Sequence, residues 1–233
     1  IKSLQLNDHK DPTLNAYVND LLNEPKSPEE DEKIKKMNNY INILITLGID
    51  QQNPVLFQNM LLCLDDETKP FLQQAMIFHQ FKVVEKLIDH DPDLLKELFA
   101  FNSNALHIAL LYNDDESAKL IIPKIGTIAF FDKHNVGKTP FSLAIEMNKP
   151  ALVDLMLRQC EDKLDISMAY GLWDFAQQFI SEDPSLAISQ LGDGATPLAR
   201  AREHLETAKA QGNPALEQTI TRFIDFLKQH GAT

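Results

Sequence analysis

The chain has 233 residues, of which 44% are hydrophobic, and its 22 basic and 34 acidic side chains give a net charge of −12. This length allows one elongated domain or two small ones. The acidic charge argues against binding to nucleic-acid phosphates, and no apolar run in the sequence approaches the roughly 18 residues that insertion into a membrane requires. A basic protein partner is compatible with the charge, although acidity also serves solubility alone.

Residues 1–65 are predicted to form a helical N-terminal region that caps the rest of the chain. Residues 12–23 carry apolar side chains on one helical face, and residues 24–32 are an acidic linker. Residues 33–47 are predicted to form a helix that ends at Gly48, and another helix is predicted over 53–64. A separate partner-binding module is the alternative for this region.

From residue 66 onward the chain repeats one pattern. The best copy is Thr139–Ala144, with Gly137 before it. Thr196–Ala201 repeats it closely, Asn104–Ala109 loosely and Phe71–Ala75 faintly. The closing alanines of the first three copies in chain order are 34 (109 − 75) and 35 (144 − 109) residues apart. A constant period of this size indicates a stacked repeat array.

Each copy continues as a short helix, a polar break and a second helix that ends on an apolar pair. The same template fits from Ser167 to Ile180, with Gly171 at the turn. Because Ser167 follows Ala144 by only 23 residues (167 − 144), the connector is missing there, and residues 158–165 are predicted to join two helices directly. Neither helix of a pair can bury its apolar stripe alone, so the pairs must stack.

This pattern resembles the ankyrin repeat family. The resemblance implies an all-α fold, a solenoid of about five helix-turn-helix units over residues 66–233 with an N-terminal helical cap over 1–65. In that family the threonine caps the first helix, as Thr139 and Thr196 would here, and the proline begins it. Asn104 can still cap, but we expect irregular helix starts there and at Phe71, where Thr-Pro has been lost.

The resemblance places one recurring position on the concave face of the array. It lies three residues after each anchoring small residue, near the end of the first helix. Four of its five residues are aromatic side chains or Met, which binding hot spots use. These candidates are Phe78, Tyr112, Met147, Tyr170 and His204. Packing of these side chains under the connectors, as satellite core, is an equally open interpretation.

The tips of the connectors are the second candidate surface, because exposed loops on a rigid scaffold commonly carry recognition. The candidates there are Asn102, Lys133, His134, Asn135 and Asp193. Ordinary solvated turn chemistry is the alternative explanation of these residues.

Neither catalytic residues nor a metal or cofactor site is predicted. Gly137-Lys138-Thr139 is similar to the end of a phosphate-binding loop, but Asp132 stands where that loop requires glycine. Cys63 and Cys160 lie in apolar helical patterns and predict buried thiols in a reducing compartment. Pairing of Cys160 with His134 as a nucleophile is strongly disfavoured.

The sequence therefore predicts a monomeric protein-binding scaffold that uses its concave groove and loop tips and is not an enzyme. Its divergent repeats and its Asn, Lys and Ile content resemble the ankyrin proteins that intracellular bacteria deliver into host cells. That resemblance implies a host protein as partner and a cytoplasmic location, including the host cytoplasm after secretion. The alternative is the repeat-bearing targeting segment of a larger hydrolase or transferase. Because the chain begins at Ile1, we expect it to be processed or truncated.

Overall fold

The computed structural model describes residues 35, 39–52, 54–55, 57, 71–134 and 137–233. Their regular secondary structure is helical, and extended pairing within these ranges is limited to an isolated bridge between Phe99 and Ser103. Contacts divide the chain into an N-terminal unit, Ile1–Ser117, and a C-terminal unit, Ala118–Thr233. The division at residue 65 that the sequence suggests stays a prediction.

From residue 71 onward the helices follow each other in helix–turn–helix pairs. Pair 1 contains α1 (Phe71–Ile77) and α2 (Phe81–His90), and pair 2 contains α3 (Ala105–Leu111) and α4 (Asp115–Ile125). Pair 3 contains α5 (Pro140–Glu146) and α6 (Pro150–Gln159), and pair 4 contains α7 (Lys163–Ala169) and α8 (Trp173–Glu182). Pair 5 contains α9 (Pro197–Ala210) and α10 (Pro214–Gln229). The unit boundary falls within α4. The all-α fold class of paired short helices is confirmed.

The two helices of every pair are joined by the same turn. One residue of each turn has a positive φ between 53° and 69°, and these residues are His79, Asn113, Asn148, Gly171 and Gly212. The next N–H donates to a carbonyl five residues earlier, at 2.8 to 3.1 Å. This Schellman arrangement satisfies carbonyls that the end of a helix leaves unpaired. The accepting residues are small and fully buried: Ala75, Ala109, Ala144, Ser167 and Ala208.

Pair 5 departs from the predicted register. Helix α9 has 14 residues whereas α5 has 7, so its turn comes seven residues (14 − 7) later than the pattern indicates. Ala201 is buried, as predicted for the anchor, but Ala208 supplies the carbonyl of the turn. His204 therefore lies in the middle of α9, and its predicted place near the end of a first helix is wrong.

Helices α3, α5 and α9, which follow connectors, begin with side-chain caps. The Thr139 hydroxyl accepts a hydrogen bond from the Ser142 N–H at 3.0 Å, and Thr196 caps α9 in the same way. The irregular start expected for α3 is wrong, because Asn104 Oδ1 accepts from the His107 N–H at 3.1 Å. His107 Nδ1 in turn accepts from the Asn104 N–H at 3.2 Å, which completes a capping box.

Connectors precede α3, α5 and α9, and each contains a 3₁₀ helix: Pro92–Lys96, Thr127–Phe130 and Pro184–Ile188. Asp91 and Asp183 cap the first and last of these through the N–H two residues on, at 3.2 and 3.1 Å. Between α6 and α7 the link is only residues 160–162, so the predicted loss of a connector there is confirmed.

In the N-terminal unit, residues 39–46 form a helix that ends at Gly48, as predicted, with φ 68°. A short helix, Ile49–Gln52, follows immediately. Of the helix predicted over 53–64, residues 54–55 and 57 are described and are helical. The predicted amphipathic helix over 12–23 and the predicted acidic linker over 24–32 lie outside the described residues.

Helix 39–46 packs against pair 1 within the N-terminal unit. The ring of Tyr40 stacks on that of Phe71, with centroids 5.2 Å apart, and the Asn39 amide is hydrogen-bonded to His90 Nε2 at 3.0 Å. Burial, then the charges of Asp91 and Glu97, raises the pKa of Tyr40 to about 12. A neutral aromatic side chain therefore joins this helix to α1.

The C-terminal unit has its largest described core between pairs 4 and 5. Trp173 lies at the start of α8, and its ring is 5.3 Å from that of Phe223 on α10. Small and branched side chains from α8, α9 and α10 surround these rings, among them Ala176, Ile180, Leu198, Ala201, Ile220 and Leu227. This core holds α7 and α9 side by side, which positions the surface described next.

Candidate protein-binding surface

We define the helix-end positions as the residue that directly follows the first helix of each pair. They are Phe78, Tyr112, Met147, Tyr170 and Gln211. At each, the backbone N–H donates to the carbonyl four residues earlier, at 2.9 to 3.0 Å. The turn thus fixes the backbone of these residues.

In the N-terminal unit the helix-end positions carry exposed aromatic rings. Phe78 is 37% exposed and Tyr112 is 42% exposed, and Leu111 beside Tyr112 is also exposed. Helices α1 and α3 pack against each other, so the two rings lie at the ends of neighbouring helices. Exposure of this extent shows that the rings are not fully buried core.

In the C-terminal unit Tyr170 has one edge on the core and the rest in solvent. Its side chain is 44% exposed, and its ring meets the fully buried Phe141 edge to face, with centroids 4.9 Å apart. Phe141 in turn contacts Phe131 at 5.4 Å. Met147 is half-buried. An aromatic ring supported in this way is ordered before any partner arrives.

His204 has a different environment from the other predicted groove residues. It is half-buried on α9, and its ring meets that of Trp173 edge to face at 5.3 Å. Burial, then the charge of Arg200, lowers the pKa of His204, so the imidazole is neutral near pH 7. Its main contact is with the core, and Gln211 takes the helix-end position of pair 5.

The three connectors end in one shared turn, which we call the tip turn. It begins at Phe99, His134 and Leu191, whose N–H groups donate to the carbonyl four residues on at 2.7, 3.1 and 2.9 Å. All three residues are buried. The expected exposure of His134 is wrong, since its side chain is only 7% exposed. It occupies the position that Phe99 and Leu191 have in the other two turns, and its Nδ1 accepts from the Lys138 N–H at 3.2 Å.

The other predicted tip residues differ in their contacts. Asn102 and Lys133 are exposed, and Asn135 lies outside the described residues. Asp193 is exposed, but its Oδ1 accepts from the Ala195 N–H at 3.0 Å and its Oδ2 is paired with Arg200. The Ala195 N–H is the main cause that lowers the pKa of Asp193. Asp193 is therefore a positioned carboxylate rather than a mobile one.

Arg200 and Asp165 hold the third tip turn in place. Arg200 Nη1 lies 3.7 Å from Asp165 Oδ1 on α7, and Asp165 Oδ2 accepts from the Gly192 N–H at 3.2 Å. Glu203 also pairs with Arg200 at 3.5 Å. These contacts connect the tip turn of the C-terminal unit to α7 and α9.

The described part of the chain shows no group of three or more His, Cys, Asp or Glu side chains that could hold a metal ion. No helix of that part is long and apolar enough to cross a bilayer. Cys160 is half-buried, its thiol donates to the Met156 carbonyl at 3.4 Å, and burial raises its pKa. A raised thiol pKa disfavours the reactive thiolate. Cys63 lies outside the described residues.

Comparison with known families identifies the repeated pairs. A family model described as ankyrin repeats matches residues 72–169 in three copies. Residues 72–169 are therefore similar to ankyrin repeats. The match runs from α1 to the end of α7, and the turn of pair 5, beyond it, has the same hydrogen bonds. Ankyrin repeats are a non-catalytic fold that generally serves protein–protein interaction. No curated protein matches the chain.

Proposed function

We propose that the chain is a protein-binding module whose partner contacts the helix-end positions and the tip turns. The observation that carries this proposal is the repeated exposure of an aromatic ring at one backbone position, in Phe78, Tyr112 and Tyr170. Because the turn already fixes their backbone, these rings lose little conformational freedom on binding. Aromatic side chains on such a scaffold are the type that dominates binding energy.

The partner that this surface fits is a protein with apolar side chains and a basic character. Tyr112 and Tyr170 offer an apolar ring together with a hydroxyl, which suits an interface of mixed polarity. The net charge of −12 favours association with a basic partner and disfavours like-charged ones. We propose that the chain binds it as a monomer and without a catalytic step.

The proposal also extends to the origin of the chain and of its partner. The ankyrin repeats are divergent, since the Thr-Pro start remains only at α5 and α9 among the first helices described with their caps. This divergence supports an effector that an intracellular bacterium delivers into host cytoplasm, where it interferes with a host protein by binding it. A nucleophile–histidine constellation in sequence beyond either end would instead make the chain the targeting segment of an enzyme.

Affinity capture from a eukaryotic lysate tests the proposal. The wild-type chain should retain a partner that the double variant Tyr112→Ala/Tyr170→Ala binds at least about tenfold more weakly, since a hot-spot residue contributes about 2 kcal/mol or more. Ile188→Ala, an exposed apolar residue of a 3₁₀ helix, is the matched control and should bind normally.

The melting temperature of the same variants separates binding from folding. The double variant should melt close to the wild type, because both side chains are exposed and lie outside the fully buried core. A large drop would show that the rings support the core instead. Unchanged capture at an unchanged melting temperature would show that the partner binds elsewhere.

A further inference from the structure

We infer that the connector between pairs 1 and 2 presents Phe101 and Leu98 as an apolar anchor, which inserts into a pocket with a basic rim on the protein partner. This inference rests on the proposed function and adds to it a contact point in the N-terminal unit and the chemistry that the point recognises. It comes from a comparison of the three tip turns, which share their hydrogen bonds but differ in the side chains they expose.

Among the described residues, this is the tip turn that exposes two large apolar side chains. Counted from the buried residue that begins each turn, Leu98 occupies the place of Lys133 and Gln190. Phe101 occupies that of Asp193 and, in the sequence, of Val136. Leu98 is 61% exposed and Phe101 is 72% exposed. Solvation of a turn favours polar residues such as Lys133, Gln190 and Asp193, so it does not explain two large apolar side chains in one turn.

The backbone of Phe101 gives an independent reason to look outside the chain. Phe101 has φ 60° and ψ 26°, and Asn102 also has φ 60°. This left-handed region is unfavourable for a bulky side chain, whereas glycine and asparagine adopt it more readily. Because the ring is mostly in solvent, its packing returns little to the fold. Folding alone would favour Gly or Asn at position 101, and strain of this kind is typical of functional sites.

The base of this connector is packed against the core, so the backbone that carries Phe101 is ordered. Phe99 is buried beneath the turn, and its N–H donates to the Ser103 carbonyl at 2.7 Å. Leu94 and Leu95 of the preceding 3₁₀ helix are buried as well. A rigid base lowers the entropy that binding of the exposed ring must overcome.

The charge of the connector determines the kind of pocket. Between residues 91 and 103 it carries Asp91, Asp93 and Glu97 against Lys96, a net charge of −2 (1 − 3). A pocket rimmed by Lys or Arg complements this charge, and an anionic membrane surface does not. The aromatic ring fills the apolar interior of such a pocket, as hot-spot side chains do.

The variant Phe101→Gly tests the anchor because its effects on folding and binding have opposite signs. Removal of the ring relieves the left-handed strain and should raise the melting temperature. Affinity for the partner, captured by the wild-type chain and then purified, should fall at least about tenfold. Ile188→Ala is the matched exposed control and should change neither affinity nor melting temperature. A photo-reactive benzoylphenylalanine at position 101 should crosslink to an apolar segment of the partner flanked by Lys or Arg.

Three results would overturn the inference. A lowered melting temperature of Phe101→Gly would show that the ring supports the fold. If Phe101→Gly binds normally while Tyr112→Ala/Tyr170→Ala loses affinity, Phe101 is not an anchor, but the proposed function still holds. If both variants bind normally, the anchor and the proposed function are both wrong. Sedimentation of the wild type with phosphatidylserine vesicles, but not with phosphatidylcholine vesicles and not by Phe101→Gly, would assign the ring to a membrane instead.

Discussion

The C-terminal unit joins its helix pairs in two different ways. Between pairs 4 and 5 runs a full connector, with the 3₁₀ helix Pro184–Ile188, a tip turn and the Thr196 cap. Between pairs 3 and 4 only residues 160–162 remain. There Arg158 on α6 donates two hydrogen bonds to the carboxylate of Glu182 on α8, at 3.0 and 2.7 Å. The difference teaches that a connector can be lost where hydrogen-bonded ion pairs between side chains join the helices directly.

The two junctions also depend on different forces. The junction of pairs 4 and 5 encloses the apolar core around Trp173 and Phe223. At the junction of pairs 3 and 4, the guanidinium of Arg158 and the ammonium of Lys163 lie 5.4 and 5.3 Å from the ring of Phe179. We therefore expect the first junction to respond mainly to changes of volume and the second to pH and salt.

The largest effect is expected from Trp173→Ala at the apolar junction. Loss of a buried tryptophan leaves a cavity, and we expect a fall of about 3–5 kcal/mol in the free energy of unfolding. Urea unfolding followed by circular dichroism measures this change. Tyr170→Ala, three residues earlier and exposed, is the control and should cost far less. Similar costs for the two variants would contradict an apolar core at this junction.

Ala144→Leu tests whether pair 3 is as closely packed as the pairs around Trp173. Ala144 is fully buried and its carbonyl accepts the hydrogen bond of the turn. A larger side chain there should overpack the helix pair and cost about 1–3 kcal/mol of unfolding free energy. Wild-type stability in thermal and urea unfolding would show that the repeat register assigned to pair 3 is incorrect.

Thr196→Ala removes the cap that the full connector provides at the start of α9. The Thr196 hydroxyl accepts from the Ala199 N–H at 3.2 Å at the start of α9, and its loss should cost about 1 kcal/mol. Thr221→Ala is the control, because that exposed hydroxyl donates to a carbonyl within α10 and caps no helix. Equal stability of the two variants in urea unfolding would show that the Thr196 cap does not stabilise the junction of pairs 4 and 5.

The smallest effect is expected from Arg158→Met, which breaks the ion pair of the short junction. Hydrogen bonds from Arg158, then from Gln178, lower the pKa of Glu182 to about 2. Since the folded pKa lies below the ordinary value of about 4.3, the pair stabilises the fold above that pH and ceases to do so as the pH falls through about 2.

Thermal melting of wild type and Arg158→Met across this pH range measures the effect. The difference in melting temperature should be small, because both partners are exposed, and it should shrink at low pH and in high salt. Phe179 remains in place in both proteins. A difference that is constant over pH and salt would show that Arg158 acts through packing on Phe179 rather than through charge.

Local signals in the sequence predicted much of this architecture. Gly137 and Gly194 both have positive φ before a threonine cap, as the repeat pattern requires. The missing connector followed from the short spacing between Ala144 and Ser167. These features were predictable because each depends on the backbone conformation or the size of one residue.

The errors arose where the length of a helix or the role of a position changed. His204 was assigned by counting from Thr196, but α9 continues for two more turns before Gly212, and the Gly212–Pro214 turn was the signal for its end. The sequence predicts His134 as a polar tip residue because its side chain is polar. It stands five residues before its cap, however, as the buried Phe99 and Leu191 do. The conformation of Phe101 has no local signature, since Phe is not a residue expected at positive φ.

The most direct test of the proposed surface is the methyl spectrum of the methionines during titration with the purified partner. Met147 is half-buried at a helix-end position, whereas Met76, Met156 and Met168 are fully buried in the core. The account predicts that the Met147 signal shifts on binding while those of the three core methionines stay in place. A spectrum in which Met147 does not move, or in which the core methionines shift instead, would contradict it.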